Sequence, residues 1–110
     1  MDDLLIQIGK RILDRRKQLR LTQEDLAELA NITPQTVSSA ELGKKALRPE
    51  NIIKICAALN ISTDYLLRGV ITTDDYSRLT QKFSQLSSPQ YHHLEDIADS
   101  FISAVTEHKA

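Results

Sequence analysis

Between Thr22 and Gly43 the chain carries two helix-forming runs that are short and closely spaced, and few folds accept such a pair. Thr22 reads as an N-cap, and Gln23, Glu24 and Asp25 bring acidic charge to the positive end of the helix dipole. Leu26, Leu29 and Ala30 are the apolar positions expected to face a core, and this run lasts only about two turns. Asn31 tolerates the left-handed backbone of a sharp helix exit, and Thr33 with Pro34 restarts the chain as cap and first helical residue. The next run, from Pro34 to about Leu42, should bury Val37 and Ala40 and turn Gln35, Thr36, Ser38 and Ser39 outward before Gly43 stops it. Isolated helices this short are marginal in water, so the pair must be held by packing against neighbours.

Those neighbours are legible on both sides. An amphipathic helix is expected from about Leu4 to Leu19, with Leu5, Ile8, Ile12 and Leu19 on one stripe and Lys10, Arg11, Asp14, Arg15 and Lys17 mostly off it. After the basic loop Lys44 to Arg48, a fourth helix begins near Pro49 and carries Ile52, Ile53, Ile55, Cys56 and Leu59. A fifth is capped by Ser62 or Thr63, filled by Tyr65, Leu66 and Leu67, and closed by Gly69. Val70 to Asp74 reads as a linker. Beyond it Tyr76, Leu79, Phe83 and Leu86 recur at spacings of three and four. Ser88 and Pro89 then open a last helix whose stripe is Tyr91, Leu94, Ile97, Ala98, Phe101, Ile102 and Val105. The fold class expected is all-α: a five-helix domain over residues 1–69, followed by a C-terminal helical hairpin over 70–110.

Composition narrows the function. With 110 residues and 41% apolar content the chain can build one small core and an appendage, and no Trp with three Gly and three Pro suits short helices and tight turns. One cysteine, Cys56, permits no internal disulfide; with no secretory leader pattern, a cytoplasmic protein is expected. No apolar run approaches the roughly 18 residues of a membrane span. The net charge of −1 conceals an asymmetry, because residues 1–69 hold eleven Lys or Arg against nine Asp or Glu and residues 70–110 hold three against six. The net charges are therefore +2 and −3, as a basic binding module joined to an acidic assembly module would show. There is no nucleophile paired with a base, no glycine-rich phosphate loop and no metal-spaced Cys/His cluster, so neither an enzyme nor a cofactor or metal site is expected. His92 and His93 point about 100° apart on a helix and read as solvated residues, and Cys56 among isoleucines reads as core.

Two helices joined by a three-residue turn, the second polar and short-sided outward, meet the requirements for entering the major groove of DNA. That groove is about 12 Å wide and admits one helix, whose first residues must offer donors and acceptors to base edges. The stretch LTQEDLAELANITPQTVSSAELGKK, followed by LNISTDYLLRG, resembles the Cro/repressor-type (XRE-like) helix-turn-helix family of phage and bacterial regulators. Gln23, Ala27, Val37, Glu41 and Gly43 fall at that family's spacing, with the trailing Tyr65-Leu66-Leu67-x-Gly pattern, and the resemblance runs from about Ile8 to Gly69.

What the resemblance implies is a five-helix, lambda-repressor-like domain that binds double-stranded DNA as a homodimer. Thr33, Pro34, Gln35, Ser38 and Ser39 would face the bases, with Gln35 able to pair in two-point fashion with adenine and Pro34 limited to a thymine methyl. Thr22 and Gln23 at a helix start, together with Lys44, Lys45 and Arg48, would hold phosphates. Arg16 and Glu41 resemble the family's internal ion pair. Four positions depart from the pattern: Pro34 has no backbone donor and no polar side chain, Asn31 replaces the usual turn glycine, Ala40 stands where a larger apolar residue is common, and Arg20 occupies a frequent glycine position where the first helix exits.

The stripe from Tyr91 to Val105 needs a covering partner, and a second subunit fits a palindromic operator, which requires two recognition helices about 34 Å apart. The expected function is a transcription regulator acting as a repressor. One alternative is an antitoxin or controller subunit whose hairpin binds a different protein; another is a protein-binding scaffold.

Overall fold

A computed structural model describes residues 3–107 and consists of seven α-helices, with no strand among the described residues. They are α1 (Asp3–Gln18), α2 (Gln23–Ala30), α3 (Pro34–Glu41), α4 (Pro49–Leu59), α5 (Thr63–Arg68), α6 (Thr73–Phe83) and α7 (Ser88–Glu107). The chain divides between Thr72 and Thr73 into two units.

In the first unit each boundary has a chemical cause. Thr22 and Asp25 form a capping box at the start of α2: the Asp25 N–H donates to Thr22 Oγ1 at 3.0 Å, and the Thr22 N–H donates to Asp25 Oδ2 at 2.9 Å. Asn31 leaves α2 in the left-handed region at φ 55°, and its N–H returns to the helix. Thr33 caps α3 through the Thr36 N–H, with Pro34 at the first helical position. Ser62, rather than Thr63, caps α5. Arg20, at φ 59°, takes up the left-handed backbone where α1 ends, and Asn60 does the same for α4 at φ 54°.

The core of this unit is built on Ile12, Leu26, Val37, Ile55, Leu59 and Leu66, all fully buried, with Ala27, Ala30, Ala40 and Cys56 filling the gaps. Three expectations are corrected. Leu29 is 61% exposed and Ile53 is 65% exposed, while Ala27 takes the core position on α2. A helix this short turns only a narrow stripe inward, and here small side chains line it so that α2 lies close to α3 and α4. Leu19, in the exit turn of α1, is also exposed.

Two elements of the packing are invisible to periodicity. A Cβ built on Gly9 would stand 2.4 Å from the Ala40 carbonyl oxygen and 2.6 Å from that of Glu41, so α1 crosses the end of α3 at a distance only glycine allows. The small Ala40 belongs to the same close crossing. Arg11 Nη1 donates to the Leu66 carbonyl at 3.0 Å, and Arg15 Nε donates to the Leu59 carbonyl at 2.9 Å. Two arginines lying off the apolar stripe thus satisfy carbonyls at the ends of α5 and α4, where helices leave acceptors unpaired.

In the second unit α6 begins at Thr73, so the segment expected to be a linker up to Asp74 is shorter by two residues. The cap of α7 is Ser87, one residue before the expected Ser88: the Ser87 N–H donates to Gln90 Oε1 at 2.9 Å and the Gln90 N–H to Ser87 Oγ at 3.4 Å. No residue of α6 or α7 is buried. Phe83 and Leu94 are half-buried, while Phe101, Ile102 and Ile97 are 66%, 58% and 52% exposed.

Candidate nucleic-acid interface

The two-turn helix α2 and the equally short α3 are joined by three residues, Asn31, Ile32 and Thr33. Ile32, half-buried against the core, pins the turn, and the left-handed Asn31 redirects the chain. The first turn of α3 therefore projects outward. Thr33, Pro34 and Gln35 are exposed, whereas Ser38 and Ser39 are half-buried. Side chains within this face hold one another: Thr33 Oγ1 and Thr36 Oγ1 lie 2.8 Å apart, and Gln35 Nε2 reaches Ser39 Oγ at 3.4 Å. A face ordered in advance loses less rotamer freedom on binding.

The basic loop lies beside this face. Gln35, Thr36, Ser39, Lys45, Arg48 and Asn51 line one shallow depression, so base-reading and phosphate-holding candidates meet in a single surface. Asn51, on the first turn of α4, is the member that the sequence pattern did not single out. Lys44, Lys45 and Arg48 are exposed, and among the described residues none of them enters an ion pair. Their charges are available to an external anion.

Behind the surface lies the one nearly dry ion pair among the described residues. Arg16 Nε donates to Glu41 Oε2 at 2.7 Å and Arg16 Nη2 donates to Glu41 Oε1 at 3.0 Å, with the two side chains only 12% and 4% exposed. The hydrogen bonding of Arg16 to the Glu41 carboxylate holds its guanidinium above the ordinary pKa. Arg16 Nη1 also donates to the Leu21 carbonyl at 2.9 Å, which fixes the α1–α2 connection. Gln23, singled out by the sequence as a phosphate contact, is half-buried and gives an N–H to Glu41 Oε1 at 3.0 Å. Its amide is thus committed on one side to the protein interior. Thr22 is exposed, and its side-chain oxygen accepts the capping bond from the Asp25 N–H.

The seven residues of the C-terminal stripe lie in the second unit. Tyr91, Ile97, Ala98, Phe101, Ile102 and Val105 are exposed and Leu94 is half-buried. No group of three or more potential metal ligands occurs among the described residues, and no described helix is long and apolar enough to cross a membrane.

A fold of this kind, with a tight turn between two short helices and a polar helix start facing outward, defines a class of DNA-reading modules. A family model described as helix-turn-helix matches residues 12–66, half of the chain, and the chain belongs to that family. Over 62 residues it is 34% identical to the repressor protein C2 of Salmonella phage P22, a match covering 56% of this chain and 29% of that protein. It is 39% identical over 54 residues to the uncharacterized HTH-type transcriptional regulator YqaE of Bacillus subtilis, covering 49% of this chain and 47% of that one. The chain thus spans less than half the length of these two curated relatives.

Among solved structures, the P22 c2 repressor in complex with a synthetic operator superposes with a TM-score of 0.56 at 33% identity, over 57% of this chain and 96% of that one. The restriction-modification controller protein C.AhdI of Aeromonas hydrophila gives 0.55 at 32%, over 56% and 94%. The SinR/SinI complex gives 0.57 over 87% of this chain and 98% of that one; at 24% identity it speaks for the fold alone.

Proposed function

We propose that this chain is a sequence-specific DNA-binding transcriptional regulator, a repressor that places α3 in the major groove of a palindromic operator and acts as a homodimer rather than as an enzyme. The observation that carries this reading is the joint surface of the outward first turn of α3 and the unpaired Lys45 and Arg48. It supplies donors and acceptors for base edges and cations for the flanking backbone. The kinship with a repressor solved on its operator supports the same reading.

In this reading Gln35 makes the two-point base contact. Thr33, Ser38 and Ser39 contribute single hydrogen bonds, and Pro34 rests against a thymine methyl. Thr22, Gln23, Lys44, Lys45 and Arg48 bind phosphates and set the register. The exposed stripe of α7 joins two subunits and fixes the spacing of their recognition helices. As a soluble regulator the protein works in the cytoplasm, with no cofactor.

The reading is tested by duplex binding as a function of salt. With Lys44, Lys45 and Arg48 engaged in both subunits, log K should fall against log salt with a slope of about −5. Gln35→Ala should cost about 1–3 kcal/mol, and only on duplexes that keep the contacted base. Lys44→Ala should weaken all duplexes alike and flatten the slope. A flat salt dependence and an inert Gln35→Ala would reject the reading. The similarity to C.AhdI favours a second one, a controller or antitoxin subunit whose C-terminal stripe binds another protein. A stoichiometric second chain co-purifying with this one, and lost on Phe101→Asp, would select it.

A further inference from the structure

Glu41 sits at the end of α3, almost sealed from solvent, and accepts three hydrogen bonds: two from Arg16 and one from Gln23. The Arg16 bonds tie α1 to α3. The third bond ties the first residue of α2 to the last residue of α3. An ionised carboxylate can only accept, so the amide of Gln23 must turn its nitrogen inward. That nitrogen carries two protons: one is spent on Glu41 Oε1 at 3.0 Å, and the other remains at the first turn of α2. This turn also presents the backbone N–H groups of Gln23 and Glu24, since the Asp25 N–H is taken by Thr22 Oγ1 and the Leu26 N–H by the Thr22 carbonyl.

A carboxylate close behind an anion site would ordinarily repel the anion. Here the guanidinium of Arg16 lies on both carboxylate oxygens and offsets that charge.

We propose that Glu41 is a positioning residue for DNA-backbone binding: its carboxylate orients the Gln23 amide so that the free N–H meets a phosphate oxygen, and Arg16 makes that orientation electrostatically tolerable. The inference rests on the DNA-binding reading above. It couples the end of the recognition helix to the start of α2 through one carboxylate, so the phosphate grip and the base-reading helix move as one body.

The test is a double-mutant cycle in DNA affinity, using the full chain and the duplex that the unaltered protein itself enriches from a random pool, with a scrambled duplex as comparison. Gln23→Ala should weaken both duplexes by about tenfold, the order of one hydrogen bond to an ionised group. Glu41→Gln should weaken them similarly in the unaltered background, and by less than about twofold once Gln23 is Ala, since coupled residues are non-additive. A purely structural Glu41 would instead cost the same affinity in both backgrounds, and that result overturns the proposal.

If Glu41→Gln does not fold, the side-chain amide resonances of Gln23 in the unaltered protein decide. One proton should be shifted and slow to exchange before DNA is added, and the other should shift on titration with the enriched duplex. A Gln23 amide that titration leaves unmoved contradicts the proposal. An unaltered protein that binds neither duplex overturns the DNA-binding reading itself, and the inference with it.

Discussion

Replacing Gly9 by alanine tests the close crossing of α1 and α3, because two effects of opposite sign compete there. In an exposed helix interior, Gly→Ala stabilises by about 1 kcal/mol. At Gly9 the new methyl would lie 2.4 Å from the Ala40 oxygen, 2.6 Å from the Glu41 oxygen and 2.9 Å from the Glu41 carbonyl carbon. Carbon–oxygen contacts in folded proteins stand at about 3.3 Å or more, so the helices must separate by about 0.9 Å. The obstructing atoms are backbone at the end of α3 and cannot rotate away. Overpacking of this kind costs about 3 kcal/mol at the upper end of its usual range. The net expectation is a loss of about 2 kcal/mol, a fall in Tm of roughly 10 °C for a domain of this size. Circular dichroism melts of Gly9→Ala read this directly, with the exposed Gln7→Ala as a helix-propensity control. A Gly9→Ala protein as stable as the parent, or more so, would rule out so close a crossing of α1 and α3.

Three further outcomes follow from the same structure. Burial raises the pKa of the Cys56 thiol, and the residue is 5% exposed, so a thiol reagent at neutral pH should modify it only at the rate of unfolding. Fast labelling of the native protein would contradict that placement. Asp25 is held below its ordinary pKa by the backbone and hydroxyl of Thr22; its contribution is present above the unfolded carboxylate pKa and lost as pH falls through the lower folded value. Asp25→Asn should therefore lower stability at neutral pH and reduce its acid dependence, a change visible in melts taken between neutral and acidic pH. If α7 joins two subunits as proposed, Phe101→Asp in its exposed stripe should halve the molar mass in light scattering while leaving the melt of the first unit in place. An unchanged molar mass would remove α7 from the dimer interface.

What could be read from the sequence was mostly local chemistry. Thr22, Asn31, Thr33 with Pro34, and Gly69 each act within a few residues of themselves, through a cap, a left-handed exit or a fixed φ, so they mark helix ends without knowledge of the fold. The helix-turn-helix followed from them. Leu29 reads as core yet is exposed, because hydrophobicity ranks side chains but does not reveal how closely two helices approach. Periodicity puts Arg11 and Arg15 off the apolar stripe and says no more of them, because their carbonyl partners, Leu66 and Leu59, lie 55 and 44 residues away. Gln23 was visible as a helix-start residue, but its bond to Glu41 depends on α1, α2 and α3 meeting, which no spacing encodes. The cap of α7 was misplaced by one residue because Ser87 and Ser88 are chemically equivalent until the position of Gln90 selects the first.

Whether α3 reads DNA sequence is decided by selection of bound duplexes from a random library at near-physiological salt. A homodimer reading with α3 should enrich an inverted repeat whose half-sites are centred about 10 base pairs apart, one per recognition helix. No enrichment at protein concentrations that saturate nonspecific DNA would contradict it.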